Sequence, residues 1–189
     1  MKNPISARPK IYRIAINALF VALYVILGTF LSFKIPGAVQ ISFSTVPILL
    51  CAFLLSPVDA ISVAVLGTFL EQILDPSPYG FMTLPMWLIP GAMMALVASL
   101  GAMRVRMTKN TRTAILLTVA TVACAEVLLT VLNTVALYID GYLLDYPVKA
   151  LHLLLPTRAL NCLVRAILSC VLCSALIPPL RRRFEKIKR

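Results

Sequence analysis

Long apolar runs alternate with short polar segments along the whole chain. A membrane-spanning helix needs about 20 mostly apolar residues. The second run is too short to cross a membrane alone and is bracketed by Pro47 and Pro57, which predicts a short helix, a tight turn and a longer helix. The fold predicted for residues 1–189 is a single all-α integral membrane domain of six transmembrane helices. The six apolar runs cover residues 12–33, 44–55, 57–75, 82–102, 114–139 and 155–180.

The composition supports a membrane protein. Hydrophobic residues make up 60% of the 189 positions and charged residues only 13%, whereas soluble domains have about 45–50% apolar and about 25% charged residues. A soluble protein is therefore excluded. Six spans also leave no room for a separate ATPase or enzyme domain, so such a domain would have to be on another chain.

Most of the basic residues, 14 of 18, lie in three clusters, at residues 2–13, 104–112 and 181–189. Cytoplasmic segments of membrane proteins collect Lys and Arg, and six spans place these three clusters on one side. We therefore predict a multi-pass plasma-membrane protein with both termini in the cytoplasm. The polar stretch at 140–147 predicts an outer loop. Because the clusters alternate with apolar runs, the net charge of +11 does not indicate nucleic-acid binding.

Polar residues within the apolar runs are candidates for a binding site, because polar groups are costly in a bilayer and usually face a cavity or another helix. Glu71 and Gln72 end the third run. Two later runs carry polar stripes at helical spacing, and together these groups could enclose one pocket. The alternative is interhelical pairing, above all between Glu126 and Arg165. The stripes are Glu126, Thr130 and Asn133 in the fifth run and Arg158, Asn161 and Arg165 in the sixth.

Three side chains near the predicted outer boundary suggest specific contacts with a ligand. Arg158 opens the last helix, where its guanidinium could bind a carboxylate with two hydrogen bonds. Its alternative role is snorkelling to the membrane interface. Trp87 and Tyr79 could stack on a ring, although an aromatic belt at the interface is the alternative for both.

The sequence shows no catalytic or metal-binding motif. It lacks H-E-x-x-H, G-x-S-x-G and P-loop patterns, and no cluster of metal-ligand residues has suitable spacing. We therefore predict a ligand-binding subunit without cofactor or metal that depends on partner proteins for energy, and no enzyme. Two alternatives stay open: an intramembrane enzyme with Glu71 or Glu126 as general base, and a homo-oligomeric proton-coupled transporter.

Several segments resemble one family. Ala15, Ala18 and Ala22 leave a smooth face on the first helix, on which another helix can approach closely. Together with six spans, the run from Gln40 to Leu50 and the Leu-Pro-Thr-Arg sequence ending at Arg158, this pattern is similar to the substrate-binding S component of energy-coupling factor (ECF) vitamin transporters. The similarity covers nearly the whole chain, and the folate-type group is the most similar.

This resemblance implies a function and partners. An S component in a bacterial cell membrane, surrounded by lipid, captures a water-soluble vitamin at the outer face and delivers it with a transmembrane coupling protein and two cytosolic ATPases. Folate is favoured, with pantothenate and riboflavin as alternatives. The three alanines would face the coupling protein, and the first loop, which contains Lys34 and Gln40, would act as a gate. Glu71 and Gln72 would bond to a pterin-like edge.

Overall fold

The computed structural model describes residues 10–34, 40–74, 83–108, 110–143, 152 and 154–186. These residues form six helices and one two-stranded hairpin, and all the helices except α2 are long and apolar enough to cross a membrane. The all-α membrane fold is therefore confirmed. The elements are α1 (Lys10–Thr29), β1 (Phe33–Lys34), β2 (Gln40–Ile41), α2 (Thr45–Leu54), α3 (Pro57–Leu74), α4 (Leu84–Met107), α5 (Thr111–Leu143) and α6 (Leu155–Lys186).

Four helix ends differ from the sequence prediction. Helix α1 stops at Thr29 because the chain soon enters the antiparallel hairpin, in which β1 pairs with β2. Helices α4, α5 and α6 continue beyond their apolar runs, to Met107, Leu143 and Lys186. Their last turns are polar or basic, and such residues can stay helical once they leave the hydrocarbon, so hydropathy underestimates the length of the helices.

The helix ends define two sides of the bundle. On the basic side, Arg13 of α1 contacts Asp59 of α3, and Arg106 near the end of α4 contacts the end of α2. The hairpin formed by β1 and β2 follows the other end of α1, and that side is called the hairpin side below. The connection between α4 and α5, at residues 108–110, lies on the basic side.

Helix α2 is the centre of the bundle. All ten of its residues are buried, and it packs against α1, α3, α4 and α6. Its C-terminal carbonyls have a dedicated partner, because Arg106 donates hydrogen bonds to the carbonyl oxygens of Phe53 at 2.7 Å and Leu55 at 3.0 Å. A cation at this position also favours the negative end of the helix dipole. A short apolar helix is therefore stable here because other helices cover it.

Small residues let α3 pack closely on its neighbours. The ring of Tyr24 in α1 lies where a side chain at Gly67 would stand, since a Cβ atom there would be 2.6 Å from the ring. Against α4, the fully buried residues include Ala60, Ala64 and Ala95. Close packing of small residues is a main source of helix association in membranes, where the hydrophobic effect between helices is weak.

Candidate functional site

A polar cluster lies between α1, α2 and α3 on the hairpin side. The hydroxyl groups of Tyr24 and Thr68 are 3.2 Å apart and both residues are buried. Glu71 and Ser44 also interact with the Tyr24 hydroxyl. Glu71 packs against Gly28, where a Cβ atom would come within 2.5 Å of its Oε1 atom. The absence of a side chain at Gly28 lets the carboxylate lie directly against α1, so α1 and α3 together position Glu71.

A second polar cluster joins α4 to α5 on the same side. Trp87 Nε1 donates a hydrogen bond of 2.7 Å to Oδ2 of Asp140, whose side chain is completely buried. Thr83, directly before α4, is also buried and lies beside this carboxylate. Asp140 corrects the sequence prediction, since it is part of α5 and not of an outer loop.

Helices α5 and α6 are joined by a third set of polar contacts toward the hairpin side. Arg158 donates a hydrogen bond of 3.1 Å to the hydroxyl of Thr134. One turn further along α5, the Tyr138 hydroxyl is 3.1 Å from Nδ1 of His152. Arg158 is half-buried and lies at the hairpin-side end of α6.

The two predicted stripes meet deeper in the bundle as an ion pair. Arg165 donates a hydrogen bond of 3.1 Å to Glu126 Oε2, and Ser169 donates one of 2.8 Å to Oε1. The Glu126 side chain has no exposed surface. This is the interhelical pairing that the sequence offered as the alternative to a site role, and it uses both oxygens of the carboxylate.

The predicted site residues are distributed over several elements of the hairpin side. The Cα atoms of Lys34 and Gln40 are partners across the hairpin, and β2 contacts α6. Tyr79 lies outside the described residues. Glu71 belongs to the cluster with α1, Trp87 to the cluster with Asp140, and Arg158 to the contacts with α5. Half-buried positions are occupied by Gln72, Asn133 and Asn161.

Sequence reasoning missed two parts of this arrangement. Tyr24 and Asp140 take part in the hairpin-side clusters, but Tyr24 is a single aromatic residue within the first apolar run and Asp140 lies just beyond the fifth. No spacing pattern marks Tyr24. Asp140 could have been found by extending the fifth helix beyond its apolar part, because it lies two turns after Asn133 on the same face.

The predicted alanine face of α1 is exposed, since Ala15, Ala18 and Ala22 are all open to the surroundings of the isolated chain. Near its beginning, α1 is fastened to α3. Arg13 donates to both oxygens of Asp59 at 2.9 Å, and Asn17 donates to Oδ1 at 2.9 Å. A polar network on the side of α1 opposite the alanines thus fixes this helix to α3 and leaves the alanine face exposed.

The arrangement can hold a polar ligand by several hydrogen bonds within apolar walls. Within the described residues, no group of three or more His, Cys, Asp or Glu side chains is placed to bind a metal ion. The hydroxyl and carboxylate groups of the clusters are hydrogen-bonded across helices, an arrangement that can orient a polar ligand.

Comparisons with known proteins agree on one family. The family described as "ECF transporter, substrate-specific component" matches residues 12–177. A solved structure, reported as "Structure and mechanism of the S component of a bacterial ECF transporter", is similar with a TM-score of 0.61 and 21% sequence identity. The similarity covers 96% of this chain and 100% of that chain, and at this identity it shows the fold. No curated protein sequence matches.

Proposed function

Because the chain belongs to the family of ECF transporter substrate-specific components, we propose that it binds a water-soluble vitamin with high affinity on the hairpin side of the bundle. The family establishes a multi-pass membrane subunit that binds a hydrophilic substrate and works with an ECF module, and it establishes that the chain is not an enzyme. The vitamin and the residues that bind it are the proposed part.

The observation that supports this site is the concentration of polar side chains on the hairpin side. Glu71, Trp87 and Arg158 belong to different helices, and each lies at the end of its helix that points to this side. Polar groups within a membrane domain are costly and usually serve a function or pair with one another. Here they surround the region next to β1 and β2, which connect α1 to α2.

We favour folate as the vitamin. Its glutamate carboxylates suit Arg158, which is half-buried and donates a hydrogen bond to the Thr134 hydroxyl near the hairpin-side end of α6. Hydrogen-bond partners such as Glu71 and Gln72 suit a pterin edge, and the indole face of Trp87 offers stacking although its N–H group is bound to Asp140. Pantothenate also carries a carboxylate, and riboflavin offers a ring for stacking.

Delivery of the vitamin requires the coupling protein and two ATPases of the ECF module. The exposed alanines of α1 provide a smooth surface for a helix of the coupling protein. The hairpin that contains Lys34 and Gln40 connects the coupling helix α1 to the central helix α2. Movement of this gate could therefore link vitamin binding to the coupling face.

Identification of the bound molecule tests the proposal. The full chain is purified in detergent and denatured, and released small molecules are identified by mass spectrometry. Folate, pantothenate and riboflavin are then titrated by calorimetry. One vitamin bound one-to-one at nanomolar concentration is expected. A well-folded protein that binds none of the three would contradict the vitamin proposal.

A further inference from the structure

Three carboxylates are buried in the described part of the chain, and one of them differs from the other two. Asp59 and Glu126 each have hydrogen bonds on both oxygens and an arginine partner, Arg13 or Arg165. Asp140 is as buried as Glu126, with no exposed surface. Within the described ranges, however, no Lys or Arg forms an ion pair with it.

Within the described residues, the two oxygens of the Asp140 carboxylate differ in their contacts. Oδ2 accepts the N–H group of Trp87 at 2.7 Å. Oδ1 and the Thr83 hydroxyl oxygen are both buried, and neither has a hydrogen bond of ordinary length and angle in this part of the chain. The Thr83 hydroxyl lies close enough to the carboxylate to interact with it, and each of the two oxygens keeps capacity to accept. Two buried oxygens that can both accept hydrogen bonds therefore lie side by side.

Burial of these two oxygens costs free energy unless a hydrogen-bond donor binds to them. A buried charge needs a counter-ion or several hydrogen bonds to offset its lost hydration, and unsatisfied buried groups in native proteins usually mark a missing ligand or water. An amino group has two N–H donors on one nitrogen, and so it can bond to both open oxygens at once. A hydroxyl group has a single donor, and a carboxylate has none.

We propose that Thr83, Trp87 and Asp140 form a subsite that binds an N–H-bearing group of the substrate, namely the amino edge of a nitrogen heterocycle. Asp140 accepts from the ligand through Oδ1, while Trp87 acts as a positioning residue that holds Oδ2. Trp87 is half-buried, so the cluster reaches the accessible surface at the hairpin-side end of α4 and α5. The inference rests on the proposed function and narrows its substrate class to amino-substituted rings.

The test compares Asp140→Asn with Asp59→Asn in the full chain in detergent. Asn keeps a carbonyl oxygen that can accept from Trp87, but it carries no charge and has an amino group, which cannot accept, in place of the second carboxylate oxygen. Asp140→Asn should therefore raise the dissociation constant of folate by at least about tenfold, the effect of losing a hydrogen bond to a charged group. Its melting temperature without ligand should not fall, because an uncompensated buried charge is removed. Asp59→Asn should show the opposite pattern, a lower melting temperature and unchanged binding.

The fluorescence of Trp87, the one tryptophan in the sequence, locates the ligand. We expect 2,4-diaminopyrimidine, an amino-substituted ring without the rest of a vitamin, to change this emission in the wild-type chain and not in Asp140→Asn. Pantothenate has no such ring and should leave the emission unchanged. If Asp140→Asn fails to fold, Thr83→Val replaces it, with a smaller loss of binding expected.

The outcomes separate the two proposals. Unchanged folate affinity in Asp140→Asn, or a lower melting temperature with normal binding, would show that Asp140 is structural and would overturn the subsite. A fluorescence response to diaminopyrimidine that depends on Asp140, in a protein that binds no vitamin, would support the subsite and reject the vitamin. No fluorescence response to diaminopyrimidine, in a well-folded wild-type chain that also binds none of the three vitamins, would reject both proposals.

Discussion

At the scale of single residues, hydrogen-bond partners decide what each buried charge does. Glu126 accepts hydrogen bonds from Arg165 and Ser169, one on each oxygen, and its side chain has no exposed surface that a ligand could reach. Arg158 has a neutral partner in Thr134 and retains accessible surface. The first group therefore holds two helices together, whereas the second can take part in binding.

Glu126→Leu should destabilise the protein strongly. The substitution leaves Arg165 buried without its counter-ion, and breaking a buried pair in this way costs about 3–5 kcal/mol. Thermal unfolding of the purified protein, followed by loss of its helical circular-dichroism signal, measures the change. The control is Glu126→Leu combined with Arg165→Leu, which should recover most of the stability because an apolar pair replaces the ionic one. A double variant as unstable as the single one would contradict this explanation.

Arg158→Ala should weaken binding of carboxylate-bearing ligands selectively. A hydrogen bond to a charged group contributes about 1.5–3 kcal/mol, so the dissociation constant of folate should rise by about tenfold or more. Hydroxymethylpterin, which lacks the glutamate carboxylates, should be affected little, and Arg158→Lys should give an intermediate loss. Calorimetry with both ligands measures this, and an equal loss for both would remove Arg158 from the carboxylate site.

At the scale of elements, α1 has two functions on two faces. Its buried face carries Tyr24 toward α3, and its alanines are exposed on the other face. Helix α2 has a different role, because it is fully buried and too short to span a membrane by itself. Its stability depends on neighbours such as α4, whose Arg106 binds its last carbonyls.

Ala18→Trp should leave vitamin binding intact and abolish uptake. The large ring would prevent a coupling-protein helix from approaching α1, while the hairpin-side clusters are not touched. Leu23→Trp is the matched control, because Leu23 is also exposed but points about 140° away from Ala18 around the helix. Uptake of labelled vitamin by cells that contain the ECF module measures both. Normal uptake with Ala18→Trp would show that this face is not the coupling surface.

Arg106→Ala should lower the stability of the protein, since the end of α2 loses its charged donor and buried carbonyl groups are left with fewer partners. The expected loss is about 1.5–3 kcal/mol. Arg104→Ala is the control, because Arg104 lies on the same last turns of α4 and its side chain is exposed. Thermal unfolding should distinguish the two variants, and equal stability would mean that the contact of Arg106 with α2 contributes little.

At the scale of the whole molecule, the two sides of the bundle differ in chemistry. The basic side carries Arg13, Arg106 and the 108–110 connection, and the hairpin side carries Glu71 and the Asp140 cluster. The positive-inside rule predicts that the basic side is cytoplasmic. A site on the hairpin side would then be open to vitamins outside the cell.

Labelling of introduced cysteines in intact cells tests this orientation. A membrane-impermeant maleimide should react with Tyr142→Cys, at a position that is 84% exposed on the hairpin side. It should react with Asn110→Cys, in the connection on the basic side, only after the cells are lysed. The wild-type chain gives the background from its own cysteines. Labelling of Asn110→Cys in intact cells would mean that the orientation is inverted.

The sequence alone determined the membrane class, the helical fold and the family resemblance. The membrane class and the helical fold follow from hydropathy, helix breaks and composition, which need no knowledge of contacts. The family resemblance rests on particular segments, such as the alanines of the first helix and the Leu-Pro-Thr-Arg sequence ending at Arg158. The pairing of Glu126 with Arg165 was foreseen as one of two alternatives, because both lie on stripes at helical spacing. The family match and the similar solved structure confirm the S-component prediction.

Only the tertiary structure decided which polar groups are satisfied. Asp59 lies at the start of the third apolar run and Asp140 directly after the fifth, and nothing in the sequence indicates their partners. In the described part of the chain, Asp59 accepts hydrogen bonds from Arg13 and Asn17, whereas Asp140 accepts one from Trp87 and forms no ion pair with Lys or Arg. Partners that are tens of residues apart depend on how helices pack, and hydropathy does not specify this packing. Contacts between helices, and not the pattern along any one of them, therefore separate structural charges from candidate binding groups.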